Sequence, residues 1–211
     1  MQYISTRGGA PAVDAAKAIL TGLAPDGGLY IPAALPTLDI KAMRGHSYQQ
    51  VALAVLQAFL PEYSEEFLRA AVEKTYGGTF GGKAGHIVQL DEELFCLELW
   101  HGPTCAFKDY ALQLMPRLLV EARRMHGEKD RTIILVATSG DTGTAALNGF
   151  SGREGTSICV FSPNDGTSEI QRLQMATQTG GNVAVYAING NFDDAQRGVK
   201  AAFSNAALAE Q

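Results

Sequence analysis

Apolar residues recur in two different rhythms along this chain. In the N-terminal third the spacing is helical. Val51, Val55, Leu56, Phe59 and Leu60 form one stripe, Ser47 offers an N-cap and Pro61 a stop, which predicts a helix over 47–60. Phe67, Leu68, Ala71 and Val72 form a second stripe after Ser64, with Glu65 and Glu66 placed to complement the helix dipole. Together the two predict a helical hairpin. From residue 132 the rhythm changes to short continuous apolar runs at 132–138, 157–162 and 183–188. Each run is followed by turn residues and a helical pattern, at 144–150, at 168–179 and from 192 towards 208. Continuous rather than alternating runs are expected of parallel strands covered on both faces. Three βα units predict right-handed crossovers and an α/β fold, an open doubly wound mostly parallel sheet behind an N-terminal helix-rich domain.

The remaining segments are quieter. Residues 2–7 and 28–32 read as short strands around a helix at 13–21, with Pro25-Asp26-Gly27-Gly28 as a turn. The glycine-rich stretch from Gly77 to Gly82 fits neither G-x-G-x-x-G nor a lysine-bearing phosphate loop, so it reads as a connection. Glu92 and Glu93 precede a strand at 94–99; neighbours on a strand face opposite ways, so they do not form a catalytic pair. Phe107, Ala111, Leu114, Leu118 and Leu119 then recur near helical spacing, and Pro116 is expected to kink that helix. Domain boundaries are placed so that 1–90, 91–127 and 128–211 are separate segments.

Composition narrows the function classes. The 211 residues are 46% hydrophobic, enough for real cores, and the formal net charge is -5. That balance argues against nucleic acid or an anionic membrane as partner. The first eleven residues lack the apolar core of a signal peptide, and the longest apolar run, 133–137, is far too short to cross a bilayer. Cys96, Cys105 and Cys159 form no C-x-x-C pair and read as buried, reduced thiols of a cytoplasmic protein. His46, His86, His101 and His126 show no metal-ligand spacing, so no metal is expected.

Two stretches carry chemistry. Lys108 falls in the first turns of the helix after Thr104, where a cation faces the positive end of the dipole. Phe107, Tyr110 and Ala111 surround it with apolar groups, and a neutral lysine amine is the nucleophile that forms Schiff bases. On residue chemistry alone a second reading stands beside this one, a solvated lysine balanced by Asp109. The loop Ser139-Gly140-Asp141-Thr142-Gly143 follows a buried strand and opens a helix. Amides at a helix start, glycines that permit close approach and the hydroxyls of Ser139 and Thr142 suit a carboxylate or phosphate. Asn164 to Glu169 makes a similar entry, which helix capping explains.

Residues 101–109, HGPTCAFKD, resemble the lysine motif of threonine synthases, HGPT-x-AFKD, in a family of fold-type II enzymes that use pyridoxal 5'-phosphate (PLP). Residues 23–32, LAPDGGLYIP, and 137–143, ATSGDTG, agree in the same order. The resemblance implies that Lys108 is the catalytic residue and carries PLP as an aldimine. It implies that Asp141 contacts the cofactor ring hydroxyl, a position where the wider fold often has Asn. Ser139, Gly140, Thr142 and Gly143 would hold the substrate α-carboxylate. The implied reaction converts O-phospho-L-homoserine and water to L-threonine and phosphate in amino-acid biosynthesis. Related PLP-dependent phospho-lyase activity, or a non-catalytic small-molecule-binding domain, stands as the alternative. On the same resemblance, 1–90 is the family's N-terminal domain, 91–127 begins the large PLP domain and 128–211 is the small α/β domain with the carboxylate loop. The helical pattern runs to Gln211 without a glycine or proline stop. An N-terminal fragment is therefore expected, lacking the glycine-rich loop that grips the PLP phosphate and inactive alone. The oligomeric state is left open.

Overall fold

The computed structural model describes residues 1–82, 84–203 and 205. Two compact units emerge: Met1–His101 with Arg117–Lys129, and Gly102–Pro116 with Asp130–Gln211.

The first unit begins with β1 (Tyr3–Ser5), α1 (Ala15–Thr21) and β2 (Tyr30–Pro32), the strands pairing antiparallel in the register Tyr3↔Pro32. Both strands are shorter than the sequence pattern predicts because the chain turns back at Ser5, whose carbonyl accepts from Gly8 N. The Asp26 carboxylate organises this corner. It accepts from Ser5 Oγ at 2.6 Å, Gly9 N at 2.8 Å and Gly28 N at 2.9 Å. The Ser5 hydroxyl foremost, then these amides, hold its carboxyl below the usual range. A Cβ on Gly28 would lie 2.1 Å from Ser5 Oγ, so the turn requires glycine there.

The hairpin of α2 (Tyr48–Phe59) and α3 (Glu65–Tyr76) forms as its stripes predict. Ser47 and Gln50 close a reciprocal capping box, and Ser64 caps α3 through Phe67 N. Leu53, Leu68, Ala71 and Val72 are buried, as are Leu118, Leu119 and Ala122 further along the chain. Tyr63 donates its hydroxyl to Leu118 O at 3.1 Å, and burial pushes that hydroxyl's pKa far up. β3 (His86–Gln89), which the sequence pattern does not predict, pairs antiparallel with β4 (Phe95–Glu98); Glu92 and Glu93 sit exposed in the turn between them.

The predicted lysine helix does not run continuously. It forms α4 (Asp109–Leu112), breaks, and resumes as α5 (Met115–Met125), whose residues from Arg117 belong to the first unit. Instead of bending one helix, Pro116 stands in the first turn of a new one, where its missing N–H is harmless, and the interruption falls just before it.

The second unit holds a parallel sheet of β5 (Thr132–Ala137), β6 (Thr156–Pro163) and β7 (Val183–Ile188), in the order β5-β6-β7. α6 (Asp141–Phe150) follows β5, α7 (Glu169–Ala176) follows β6 and α8 (Phe192–Phe203) follows β7. α6 lies so close to one sheet face that a Cβ on Gly143 would sit 2.8 Å from Val160 Cγ1. On the Phe161 face, α8 and the sheet enclose a cavity of about 330 Å³. Coverage of both faces is thus the arrangement the βα alternation predicts, but it is uneven. β6 alternates fully buried and half-buried positions, whereas Ile133 in β5 and Tyr186 in β7 are exposed. α7 ends at Ala176, short of the predicted 179, and the far end of the predicted 192–208 helix lies outside the described residues. No helix among the described residues is long and apolar enough to cross a membrane.

Candidate active site

The site is built in the second unit, from the turn that carries Lys108 and from the start of α6. Thr104 and Asp109 fix the first. The Asp109 carboxylate accepts from Thr104 N at 2.9 Å and Thr104 Oγ1 at 2.8 Å. Asp109 is fully buried, and burial raises its pKa against the opposing pull of these hydrogen bonds. A Cβ on Gly102 would lie 2.4 Å from Asp109 Oδ2, so the carboxylate fills the space that a side chain there would need. Cys105 takes a left-handed φ of 59°, rare for a residue with a Cβ.

This geometry corrects three expectations. Asp109 is the clamp of the turn and is not the counter-ion of Lys108. The surroundings of Lys108 are less apolar than its neighbours in sequence suggest: Phe107 and Ala111 are exposed, and the lysine side chain is itself 29% exposed. The cysteines are free but are not the buried thiols predicted, since Cys105 is exposed and Cys96 and Cys159 are half-buried.

Lys108 is the N-cap residue of α4, with φ -62° and ψ -20°. Its Nζ lies 3.6 Å from Asp141 Oδ2 and 4.4 Å from the centroid of the Phe107 ring. A half-exposed pair of this kind stabilises by about 0.2–1 kcal/mol, so its importance is positional.

Asp141 stands in the first turn of α6, which begins three residues earlier than the apolar pattern predicts. Thr138, at the end of β5, holds this start. Its Oγ1 accepts from both Gly140 N and Gly143 N at 2.9 Å. Gly140 has φ 147°, and Thr144 returns both its amide and its hydroxyl to Gly140 O. Two of the helix-start amides are therefore already used. Ser139 is exposed and Thr142 half-buried, and neither hydroxyl has a hydrogen-bond partner among the described residues. The structure thus brings Lys108 and Asp141 into contact and sets Ser139 and Thr142, with hydroxyls to spare, on either side of Asp141.

Sequence reasoning misses three neighbours. Thr138 had a signal, a hydroxyl residue ending a strand before a glycine loop. Gln171 and Gln174 of α7 had none. Gln171 donates through Nε2 to Asp141 Oδ1, and Gln174 Nε2 donates to Thr104 O at 3.4 Å. In the first unit, the β3–β4 register sets His86 opposite Glu98, and His101 Nε2 lies 2.6 Å from Glu98 Oε2. Strand pairing brings His86 to a Glu98–His101 pair that is three residues apart in sequence, and together they form a cluster of two histidines and a carboxylate.

A lysine amine, a carboxylate and two spare hydroxyls stand together at the carboxyl edge of the parallel sheet of an α/β fold, the place where such folds bind small ligands. The comparisons make the class particular. Residues 2–76 match the family described as Threonine synthase N terminus. The threonine synthase of Pseudomonas aeruginosa is 43% identical over 97% of this chain, and that of Schizosaccharomyces pombe 38% identical over 97%. The crystal structure of a PLP-bound threonine synthase from Brucella melitensis superposes with a TM-score of 0.91, is 42% identical and covers 100% of this chain. The chain spans 44% and 42% of the two curated relatives and 46% of that crystallised chain. In sequence and in fold, this chain is similar to the N-terminal part of threonine synthases.

Proposed function

We propose that this chain contributes the lysine half of a threonine synthase active site, acting in the cytoplasm on O-phospho-L-homoserine and water to give L-threonine and phosphate. One observation carries the reading: Lys108 Nζ sits 3.6 Å from Asp141 Oδ2, inside the two motifs through which the chain resembles that family. The donor set suits PLP. A primary amine is what the cofactor's aldehyde requires, and Asp141 can meet a ring hydroxyl.

When bound, PLP supplies the electron sink that makes protons on the substrate's carbon skeleton removable. The chain's own residues do the rest. Lys108 would hold the cofactor through its amine, and its free Nζ would carry protons between substrate carbons. Asp141 Oδ2, 3.6 Å away, orients that amine through its charge. The Ser139 and Thr142 hydroxyls and the dipole of α6 receive the substrate carboxylate. Gly140 and Gly143 shape this cup by lacking side chains: a Cβ on either would collide with Gln171 or Thr138.

Borohydride reduction of the full-length protein after incubation with PLP tests the assignment. A pyridoxyl group is expected on the Lys108 peptide, and its absence there would overturn the proposal in favour of a non-catalytic binding domain. With phosphohomoserine, threonine is the expected product; 2-oxobutyrate without threonine would indicate a phosphate-eliminating lyase instead. Lys108→Ala should remove all turnover and leave the fold intact.

A further inference from the structure

Two glutamines of α7, one helical turn apart, reach into different parts of the site. Gln171 Nε2 donates to Asp141 Oδ1, and Gln174 Nε2 donates to Thr104 O at 3.4 Å. Residues three apart share a helix face, and here that face is the one turned to the site: Gln171 and Gln174 are half-buried while Ile170, Arg172 and Leu173 are exposed. The packing is tight. A Cβ on Gly140 would lie 1.9 Å from Gln171 Oε1, so the glycine and the glutamine side chain occupy one space between them.

The electrostatics of Asp141 give this contact a consequence. Its two oxygens are divided, Oδ2 towards Lys108 Nζ at 3.6 Å and Oδ1 towards Gln171 Nε2. Asp141 is 46% exposed at its side chain, so its bond to a half-exposed lysine is too weak to hold one rotamer against water. An amide that fixes the other oxygen removes that freedom. Gln174 does for the Thr104 turn what Gln171 does for the α6 start, and α7 thereby ties the two loops to each other.

We propose that Gln171 is the positioning residue of this site, holding Asp141 in the orientation that faces Lys108, with Gln174 as its partner on the lysine turn. The inference rests on the reading of Lys108 and Asp141 given above and names the group that sets their geometry.

The discriminating substitution is Gln171→Glu, because glutamate keeps the shape of glutamine but replaces the donor by a second carboxylate facing Asp141. Affinity for PLP, read from the absorbance of the lysine adduct, is expected to fall about tenfold in Gln171→Ala, the scale of a hydrogen bond to a charged acceptor. It should fall further in Gln171→Glu. The double variant Asp141→Asn with Gln171→Glu exchanges donor and acceptor and should regain most of the Gln171→Glu loss. Gln174→Ala, which removes a longer bond to a neutral carbonyl, should weaken PLP about threefold. A Gln171→Glu protein that binds PLP like the wild type would reduce Gln171 to packing and overturn the proposal, as would an exchange variant no better than Gln171→Glu alone. Urea unfolding of the wild type, Asp141→Asn, Gln171→Glu and the double variant gives a reading that needs no cofactor. Non-additive midpoints are expected for positions 141 and 171, and additive ones would overturn the proposal even if Lys108 captures PLP. If Lys108 captures none, the function proposed above fails, while the unfolding cycle still decides the role of Gln171.

Discussion

Gly149→Ala adds one methyl group to α6, and on an exposed helix that change stabilises by about 1 kcal/mol. Here the sign is expected to reverse. The new Cβ would lie 1.9 Å from Leu112 O, 3.0 Å from Leu112 C and 3.3 Å from Pro116 Cγ. A tolerable carbon–oxygen contact is about 3.3 Å, so the end of α4 and the C-terminal end of α6 must separate by roughly 1.4 Å. Backbone cannot give as a flexible side-chain tip can. Overpacking of this kind costs about 1–3 kcal/mol. The separation also breaks the hydrogen bond from Gln113 Nε2 to Asn148 Oδ1, now 2.8 Å long, for about 1 kcal/mol more. Set against the gain in helix propensity, the net loss is about 1–3 kcal/mol. Equilibrium urea unfolding at 25 °C measures it as a lower midpoint at unchanged slope. Because Lys108 leads into α4 and Asp141 begins α6, the same displacement should lengthen their 3.6 Å contact and weaken PLP capture. A Gly149→Ala protein as stable as the wild type, or more so, would refute the claim that the two segments meet backbone to methylene at this point.

Three further outcomes follow from single contacts. The Asp109 carboxyl is raised by burial above its ordinary value of 3.8. Between that value and the raised one the folded chain keeps a proton that the unfolded chain releases. Stability should therefore decline as pH rises through this window and level off above it. Asp109→Asn should abolish that decline at a cost within about 1 kcal/mol, since an amide can still serve both groups of Thr104, whereas Asp109→Leu should lose about 2–3 kcal/mol. Tyr63→Phe removes the donor to Leu118 O and should lower stability by about 1 kcal/mol without altering PLP capture. Thr75 is fully buried with no hydrogen-bond partner for Oγ1 among the described residues, so Thr75→Val should be neutral or raise the unfolding midpoint.

Local rules written in the chain were legible wherever the determining partners lie within a few residues. The Ser47–Gln50 capping box and the Ser64 cap each join groups three apart, so both ends of α2 and the start of α3 could be placed to within a residue. The βα alternation after residue 132 was legible for the same reason, and so was the motif around Lys108. β3 was not legible, because four residues whose alternate positions are half-buried leave too short a pattern to read. Nor was the break after Leu112: it depends on Pro116 opening a new helix, while the spacing of Leu114, Leu118 and Leu119 continues through it.

The sequence by itself marked Lys108 and the 139–143 loop as candidates and indicated the parallel sheet at whose edge that loop lies. Tertiary structure alone decided whom each charged group meets. Asp109, adjacent to Lys108 in the chain, turns inward to Thr104, and Asp141, thirty-three positions on, becomes the lysine's partner under the hand of Gln171. The physical reason is that helical and strand periodicity act between near neighbours, whereas an ion pair obeys distance in space, and that distance is set by how closely α4, α6 and α7 can pack.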